Sequence, residues 1–222
     1  MSTAISFPTH SGSQADEFAY WWNIAGEWVE QPNQRRHGWS GMLRVRHHGK
    51  VVYVKRQRNH LCRTLQHPLG WPTASREWFY LKRLKALGIG VPTPLFHTTA
   101  RTRNGVESLL VTEELHGFLP LQAQTDLSWA QRGNLAREVG RVLGKVHRAR
   151  LQHSCLYDKH VMVRWLGHTP RVALIDLEKM RPRLSGHAAA RHDLDQLQRH
   201  QDVWSGDEWS LLELSHANEL AW

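Results

Sequence analysis

The run Ser128-Trp-Ala-Gln131, followed by Leu135, Val139, Val142 and Val146, constrains the fold more than any other feature of the chain. A serine with a glutamine three residues on is a capping box and marks a helix start. The apolar positions that follow, spaced three and four apart, give one buried stripe along a helix of about 20 residues. The chain changes character around this helix. Upstream, Leu43 and Val45 alternate with Met42, Arg44 and Arg46, and the run from Lys50 to Arg56 alternates again. Period two places Tyr53 and Lys55 on one face and Val52 and Val54 on the other, with His47-His48-Gly49-Lys50 as the turn between the strands. Pro72-Thr73 opens a helix from about Ala74 to Leu87, marked by Trp78, Leu81, Leu84 and Leu87, and Gly88-Ile-Gly90-Val-Pro92 stops it. Leu109 to Thr112 reads as a buried strand, and Glu113 to Gly117 as a linker. Residues 57–71 carry no period and are expected to be irregular; residues 1–16 are expected to be loosely ordered.

Downstream of the long helix, His160 to Trp165 and Arg171 to Leu177 flank Leu166-Gly-His-Thr-Pro170, which predicts an antiparallel hairpin with a five-residue loop. From about Ala188 to Trp222 the chain is polar and helical. The order of elements predicts an α+β protein. Residues 1–114 form a lobe built on a small antiparallel sheet, and residues 115–222 form a mainly helical lobe.

Composition narrows the classes. With 41% hydrophobic residues the chain can bury a core. No apolar run approaches the roughly 18 residues of a membrane span, and Met1 to Gln14 lacks the pattern of a secretory signal, so a cytoplasmic protein is expected. Cys62 and Cys155 are too far apart to form a disulfide framework or a zinc motif. The formal charge of +9 suits nucleic acid, anionic lipid headgroups or phosphorylated sugars. A nucleic-acid partner rests on that charge alone, because no aromatic residues interleave with the basic ones on an exposed strand, and it is the last alternative. The 11 tryptophans read mainly as packing residues; Trp21 and Trp22 also fit a membrane surface.

The chemistry gathers at a few positions. Asp176 ends an apolar strand, and in a hairpin centred on His168 it lies opposite His160. An imidazole and a carboxylate there would hold a divalent metal or simply hydrogen-bond each other. Lys55 on a strand and Glu77 on the next helix match the arrangement in which a lysine binds nucleotide phosphates and a glutamate holds it. Gly38-Trp-Ser-Gly41 is a short glycine pair able to bend over phosphates, and Glu113-Glu114-Leu115 after a buried strand fits a hinge whose backbone meets adenine.

The ordered set of Gly38 to Gly41, Lys55, Glu77, the hinge and Asp176 resembles the protein-kinase fold over residues 35–200. Arg76-Glu77-Trp78, Leu156-Tyr157 to His160 and Ile175-Asp-Leu-Glu-Lys179 resemble, more closely, the lipopolysaccharide kinase family of InaA, WaaP and Kdo-kinase-like proteins. The resemblance implies a cytoplasmic bacterial enzyme, peripheral at an anionic membrane, that uses ATP and Mg2+ or Mn2+ to phosphorylate a heptose or Kdo sugar of the lipopolysaccharide inner core. It implies that Lys55 binds the α/β-phosphates, Glu77 anchors Lys55, Glu113 and Leu115 meet the adenine, and Asp176 and His160 ligate metal. The sequence departs from the kinase pattern in His153-Ser-Cys155-Leu-Tyr157-Asp-Lys-His160: Cys155 stands where kinases place the catalytic aspartate, and Asp158 reads as a substitute base or as a loop cap. This departure keeps a pseudokinase of the same fold as the first alternative.

Overall fold

The computed structural model describes residues 13–35 and 38–221. Its first half contains α1 (Gln14–Asn23), β1 (Glu27–Arg35), β2 (Gly38–His47), β3 (Lys50–Arg58), β4 (Leu61–Thr64), β5 (His67–Pro72), α2 (Thr73–Ala86), β6 (Pro94–Thr102) and β7 (Gly105–Glu113). Five of these strands form an antiparallel sheet in the order β1-β2-β3-β7-β6. The β2–β3 turn falls where expected. His48 and Gly49 both take positive φ, 47° and 76°, the backbone twist that suits a two-residue hairpin.

The alternation in β3 sorts its side chains as read from the sequence. Val52 and Val54 are buried with Leu43, Val45, Leu109 and Val111 under Trp21 of α1. Trp22 stacks on Phe18 with ring centroids 5.3 Å apart. The two tryptophans therefore cover one face of the sheet, which overturns their reading as a membrane-surface pair. α1 also corrects the expectation of loose order for residues 14–16: Ser13 and Asp16 form a reciprocal capping box that starts this helix. Residues 1–12 lie outside the described residues.

On the other face of β3 stand Lys55 and Gln57, two residues apart. Gln57 sets the position of α2. Pro72 at the N-cap has no side-chain oxygen, and the buried Oε1 of Gln57 accepts instead from the N–H of Ala74 at 2.8 Å and the hydroxyl of Thr73 at 3.0 Å. Leu81 and Leu84 bury the inner face of α2, while Leu87 closes the helix half-exposed. Residues 57–71 are not irregular: β3 runs on to Arg58, and β4 and β5 form a hairpin of their own. Leu65 and Leu69 at that hairpin are exposed, so its apolar residues follow no burial period.

The second half contains β8 (Leu119–Pro120), α3 (Trp129–Arg148), β9 (Leu151–Gln152), β10 (Val161–Leu166), β11 (Thr169–Leu174), β12 (Arg181–Pro182), α4 (Gly186–Arg199) and α5 (Gly206–Ala221). Ser128 and Gln131 cap α3 reciprocally, as expected. α3 packs closely on α5 because Gly140 and Gly144 face it; a Cβ at Gly140 would fall on the carbonyl of Leu212. One apolar cluster runs from Leu81 and Leu84 of α2 through Val139 and Leu143 of α3 to Leu174 and Leu212. The sheet half and the helical half thus share a core. The N–H of Leu174 also donates to the carbonyl of Gly90 at 2.9 Å, tying β11 to the segment after α2.

The β10–β11 hairpin is tighter than expected. Leu166 pairs with Thr169, so the loop is Gly167-His168, with Gly167 at φ 60°. This register pairs Val161 with Leu174 and brings His160 opposite Ile175, not Asp176.

Candidate active site

A cleft of about 800 Å3 opens between the five-stranded sheet and the helical half. Lys55 and Glu77 enter it from β3 and α2, Glu113 to Leu115 form its hinge wall, and Cys155, His160 and Asp176 form its floor. Lys55 is buried, and its Nζ lies 2.7 Å from Glu77 Oε2 and 3.0 Å from Glu178 Oε2. Burial alone would lower the pKa of the lysine. Glu77, Glu178 and Asp176 more than offset that and hold it well above its ordinary value, so Lys55 is charged. The two carboxylates share this charge unevenly. Burial, with Asp176 and Glu178 adding to it, raises Glu77 in spite of Lys55, whereas for Glu178 burial is outweighed by Lys55 together with His60 and Lys179 and the net shift is downward.

The partners of Lys55 are fixed from outside. Arg76, next to Glu77, donates from Nε to the carbonyl of Met180 at 2.8 Å and from Nη2 to that of Lys179 at 3.0 Å. The segment carrying Asp176 and Glu178 is thereby clamped to α2.

The floor is held by Asp193 of α4, a fully buried carboxylate. It accepts the backbone N–H groups of His153 at 2.6 Å and Ser154 at 2.9 Å, and His147 Nε2 lies 3.2 Å away. These bonds, together with His147 and His153, keep its pKa low in spite of burial. Gln196, one turn on, accepts the N–H of Leu156 at 2.8 Å. On the loop so anchored, His160 Nδ1 donates to the carbonyl of Cys155 at 2.6 Å, and His160 Nε2 lies 3.4 Å from Asp176 Oδ2. Asp176 reaches back to His160 because its own backbone is left-handed, φ 59°. That single residue restores a pairing that the hairpin register alone would not make. The Cys155 thiol is buried, which raises its pKa, and Lys179 Nζ stands 3.7 Å from its sulfur.

The model of the lipopolysaccharide kinase (Kdo/WaaP) family matches residues 19–215. The chain belongs to this family. The protein InaA of Escherichia coli (strain K12) is 35% identical over 200 residues, 87% of this chain and 92% of that protein. The structure of WaaP in complex with acyl carrier protein superposes with a TM-score of 0.71 at 21% identity, covering 91% of this chain and 83% of that one. The Rio2 kinase–ADP/Mg2+–phosphoaspartate complex from Chaetomium thermophilum gives a TM-score of 0.55 at 13% identity, over 93% and 72% of the two chains. These likenesses fix the fold as protein-kinase-like, with a small sheet lobe and a mainly helical lobe. Membership places the chain among kinases of the lipopolysaccharide core.

Within this family member the cleft brings together Lys55, Glu77, Glu113, Leu115, Cys155, His160 and Asp176. It does not include three other residues expected there. Gly38 and Gly41 are strand residues of β2, with Gly41 opposite Arg56 of β3, and the cleft is lined instead by Ser40 and Met42. The glycines serve close packing: a Cβ at Gly38 would meet the backbone of Arg58 and Asn59, and one at Gly41 would meet Trp28 and Pro32. Asp158 is also outside the lining. Its Oδ1 accepts the N–H of Lys159 at 2.8 Å within the same short turn. Sequence reasoning missed Glu178 as a second partner of Lys55, although it lies inside the Asp-Leu-Glu-Lys motif. It also missed Asp193, which has no local signal because the loop it holds is 40 residues away.

Proposed function

We propose that this cleft transfers the γ-phosphate of ATP to a hydroxyl of a heptose or Kdo sugar in the lipopolysaccharide inner core, at the cytoplasmic face of the inner membrane. The observation that carries the reading is the buried Lys55–Glu77 pair at 2.7 Å, formed in the same cleft as Asp176. Kinases require this pair to be in place for phosphoryl transfer. Lys55 holds the α/β-phosphates, with Glu77 and Glu178 fixing its direction. The N–H groups of Glu113 and Glu114 are committed to the carbonyls of Thr93 and Val51, so we assign the contact with adenine to the next donor, the N–H of Leu115. We take the break between the lobes as Glu114/Leu115.

The Asp176 carboxylate fits a magnesium ion that brings phosphate oxygens and water as its other ligands. Such an ion would neutralise charge on the phosphates. The acceptor is a small or lipid-linked sugar, and the +9 chain meets the anionic membrane peripherally. No helix among the described residues is long and apolar enough to cross a membrane.

Cys155 leaves the cleft without the usual proton acceptor, since a buried thiol with a raised pKa is a poor base. Phosphoryl transfer has a loose transition state that depends chiefly on positioning and charge, and a general base typically adds about 10²–10⁴-fold. Transfer is therefore slow, not absent. Cys155 also favours the second reading, a nucleotide-binding pseudokinase that acts as a regulator. Thermal melts test the nucleotide site common to both. ATP with Mg2+ should stabilise the protein by about 2.7 kcal/mol at a hundredfold excess over Kd, and Asp176→Ala should remove the effect. Melts indifferent to nucleotide and metal would contradict the nucleotide site and favour a pure interaction module of the same fold.

A further inference from the structure

Cys155 Sγ, His160 Nε2 and an Asp176 carboxylate oxygen lie within 4.8 Å of one another on the cleft floor. We propose that these three side chains form a binding site for a transition-metal ion, zinc by the nature of its donors, with a fourth coordination position open to the cleft.

A backbone carbonyl fixes the tautomer of His160. Its Nδ1 is 2.6 Å from the carbonyl of Cys155, and a carbonyl only accepts, so Nδ1 carries the hydrogen. In the neutral ring Nε2 is then a bare lone pair, and it faces Asp176 Oδ2 at 3.4 Å. A proton or a metal ion between Nε2 and Oδ2 satisfies both atoms, and the Cys155 sulfur within 4.8 Å of each makes room for the metal. A histidine whose second nitrogen donates to a backbone carbonyl is also how proteins orient a metal-binding imidazole.

A thiolate, an imidazole and a carboxylate are zinc ligands, and three protein ligands with an open fourth position is the arrangement of reactive zinc sites. Magnesium takes oxygen donors in near-octahedral geometry, so the sulfur and nitrogen here discriminate against it. The ligands are also pre-positioned. Asp193 anchors the loop bearing Cys155 and His160, and the left-handed backbone of Asp176 turns its carboxylate inward. Zinc binding would displace the thiol proton to solvent, and Lys179 Nζ, 3.7 Å from the sulfur, would face the thiolate that remains. The spacing of these ligands is not that of a zinc motif, and only the tertiary fold assembles them.

The site shares the cleft and the Asp176 carboxylate with the proposed phosphotransfer, so the two metals compete for that ligand; it is read out without nucleotide, so either can fail alone. The full chain, stripped with a chelator, is titrated with Co2+ as the spectroscopic probe. The expected result is a sulfur-to-cobalt charge-transfer band in the near ultraviolet with intense tetrahedral visible bands. One equivalent of Zn2+ should abolish them, and a large excess of Mg2+ should not. Cys155→Ser should lose the charge-transfer band and weaken zinc binding by more than about tenfold; His160→Gln should weaken binding similarly, and Cys62→Ser should change nothing. Absence of the band in the wild type would overturn the proposal. So would a band that survives Cys155→Ser, or displacement by magnesium as readily as by zinc.

Discussion

Glu178 Oε2 lies 3.0 Å from Lys55 Nζ, so the segment that supplies Asp176 also places a second carboxylate on the lysine of β3. In the nucleotide-free cleft Glu178 already holds that ammonium, so incoming phosphates must compete with it. Glu178→Gln should tighten ATP binding about tenfold, roughly 1.4 kcal/mol, as read by calorimetric titration. It should lower unfolding free energy by about 1–2 kcal/mol, because Glu77 still pairs with Lys55.

Lys55→Met leaves Glu77 and Glu178 buried against each other with no cation between them. The expected cost is about 3–5 kcal/mol by chemical denaturation at neutral pH. Without the lysine both carboxylates have folded pKa values above their unfolded ones. Stability is then lost as pH rises through the folded values, so the deficit of the variant should shrink on going from neutral to mildly acid pH. A deficit that grows in acid would contradict the ion-pair account.

Asp193→Asn keeps the shape of the anchor but replaces one acceptor oxygen with a donor facing the N–H groups of His153 and Ser154. We expect a loss of about 2–4 kcal/mol in unfolding free energy, and a floor loop that exchanges its amide hydrogens faster than the rest of the helical lobe.

Acid should weaken the fold over two pH ranges. His97 is held down to about 4 by burial, and His216 to about 4 by burial and the nearby His147 and His187. Their folded pKa values lie below the unfolded value near 6.5, so their stabilisation is complete above about 6.5 and is lost as pH falls toward 4. Asp193 and Glu178, with depressed pKa values, add a loss at lower pH as each takes up a proton. His97→Phe keeps a ring on Trp78 while removing the titrating group. Its Tm should fall less between pH 6.5 and 4 than that of the wild type.

Gly140→Ala should destabilise the protein even though alanine is the better helix former by about 1 kcal/mol. The added methyl meets the carbonyl of Leu212, so α3 and α5 must separate. Thermal melts should show a drop; an increase would mean that the contact between these helices yields easily.

Much of the fold is legible because its signals are local. The capping box at Ser128, the alternation of Val52 to Lys55 and the turn at His48-Gly49 each depend on neighbouring residues, and each appears in place. Lys55, Glu77 and Asp176 were legible as an ordered set. What the sequence hid depends on distant partners or on backbone twist. Asp193 works on a loop 40 residues away, and Gln57 caps a helix it does not belong to. The β4–β5 hairpin exposes Leu65 and Leu69, so no burial pattern marks it. The His160–Asp176 contact was expected from a hairpin centre that is wrong by half a residue, and it survives only because Asp176 is left-handed. The glycines at 38 and 41 misled because close strand packing requires the same residue as a phosphate loop.

The central claim is phosphoryl transfer to a lipopolysaccharide core sugar, and the direct measurement is transfer of labelled phosphate from ATP to purified inner-core lipopolysaccharide. The account predicts slow, metal-dependent labelling of the wild type. Lys55→Ala and Asp176→Ala should abolish it, Cys155→Ser should retain most of it, and Cys155→Asp, which restores a carboxylate base, should raise it. No labelling of any of several core acceptors by wild-type protein that still binds ATP tightly would contradict the claim and make the pseudokinase the better account.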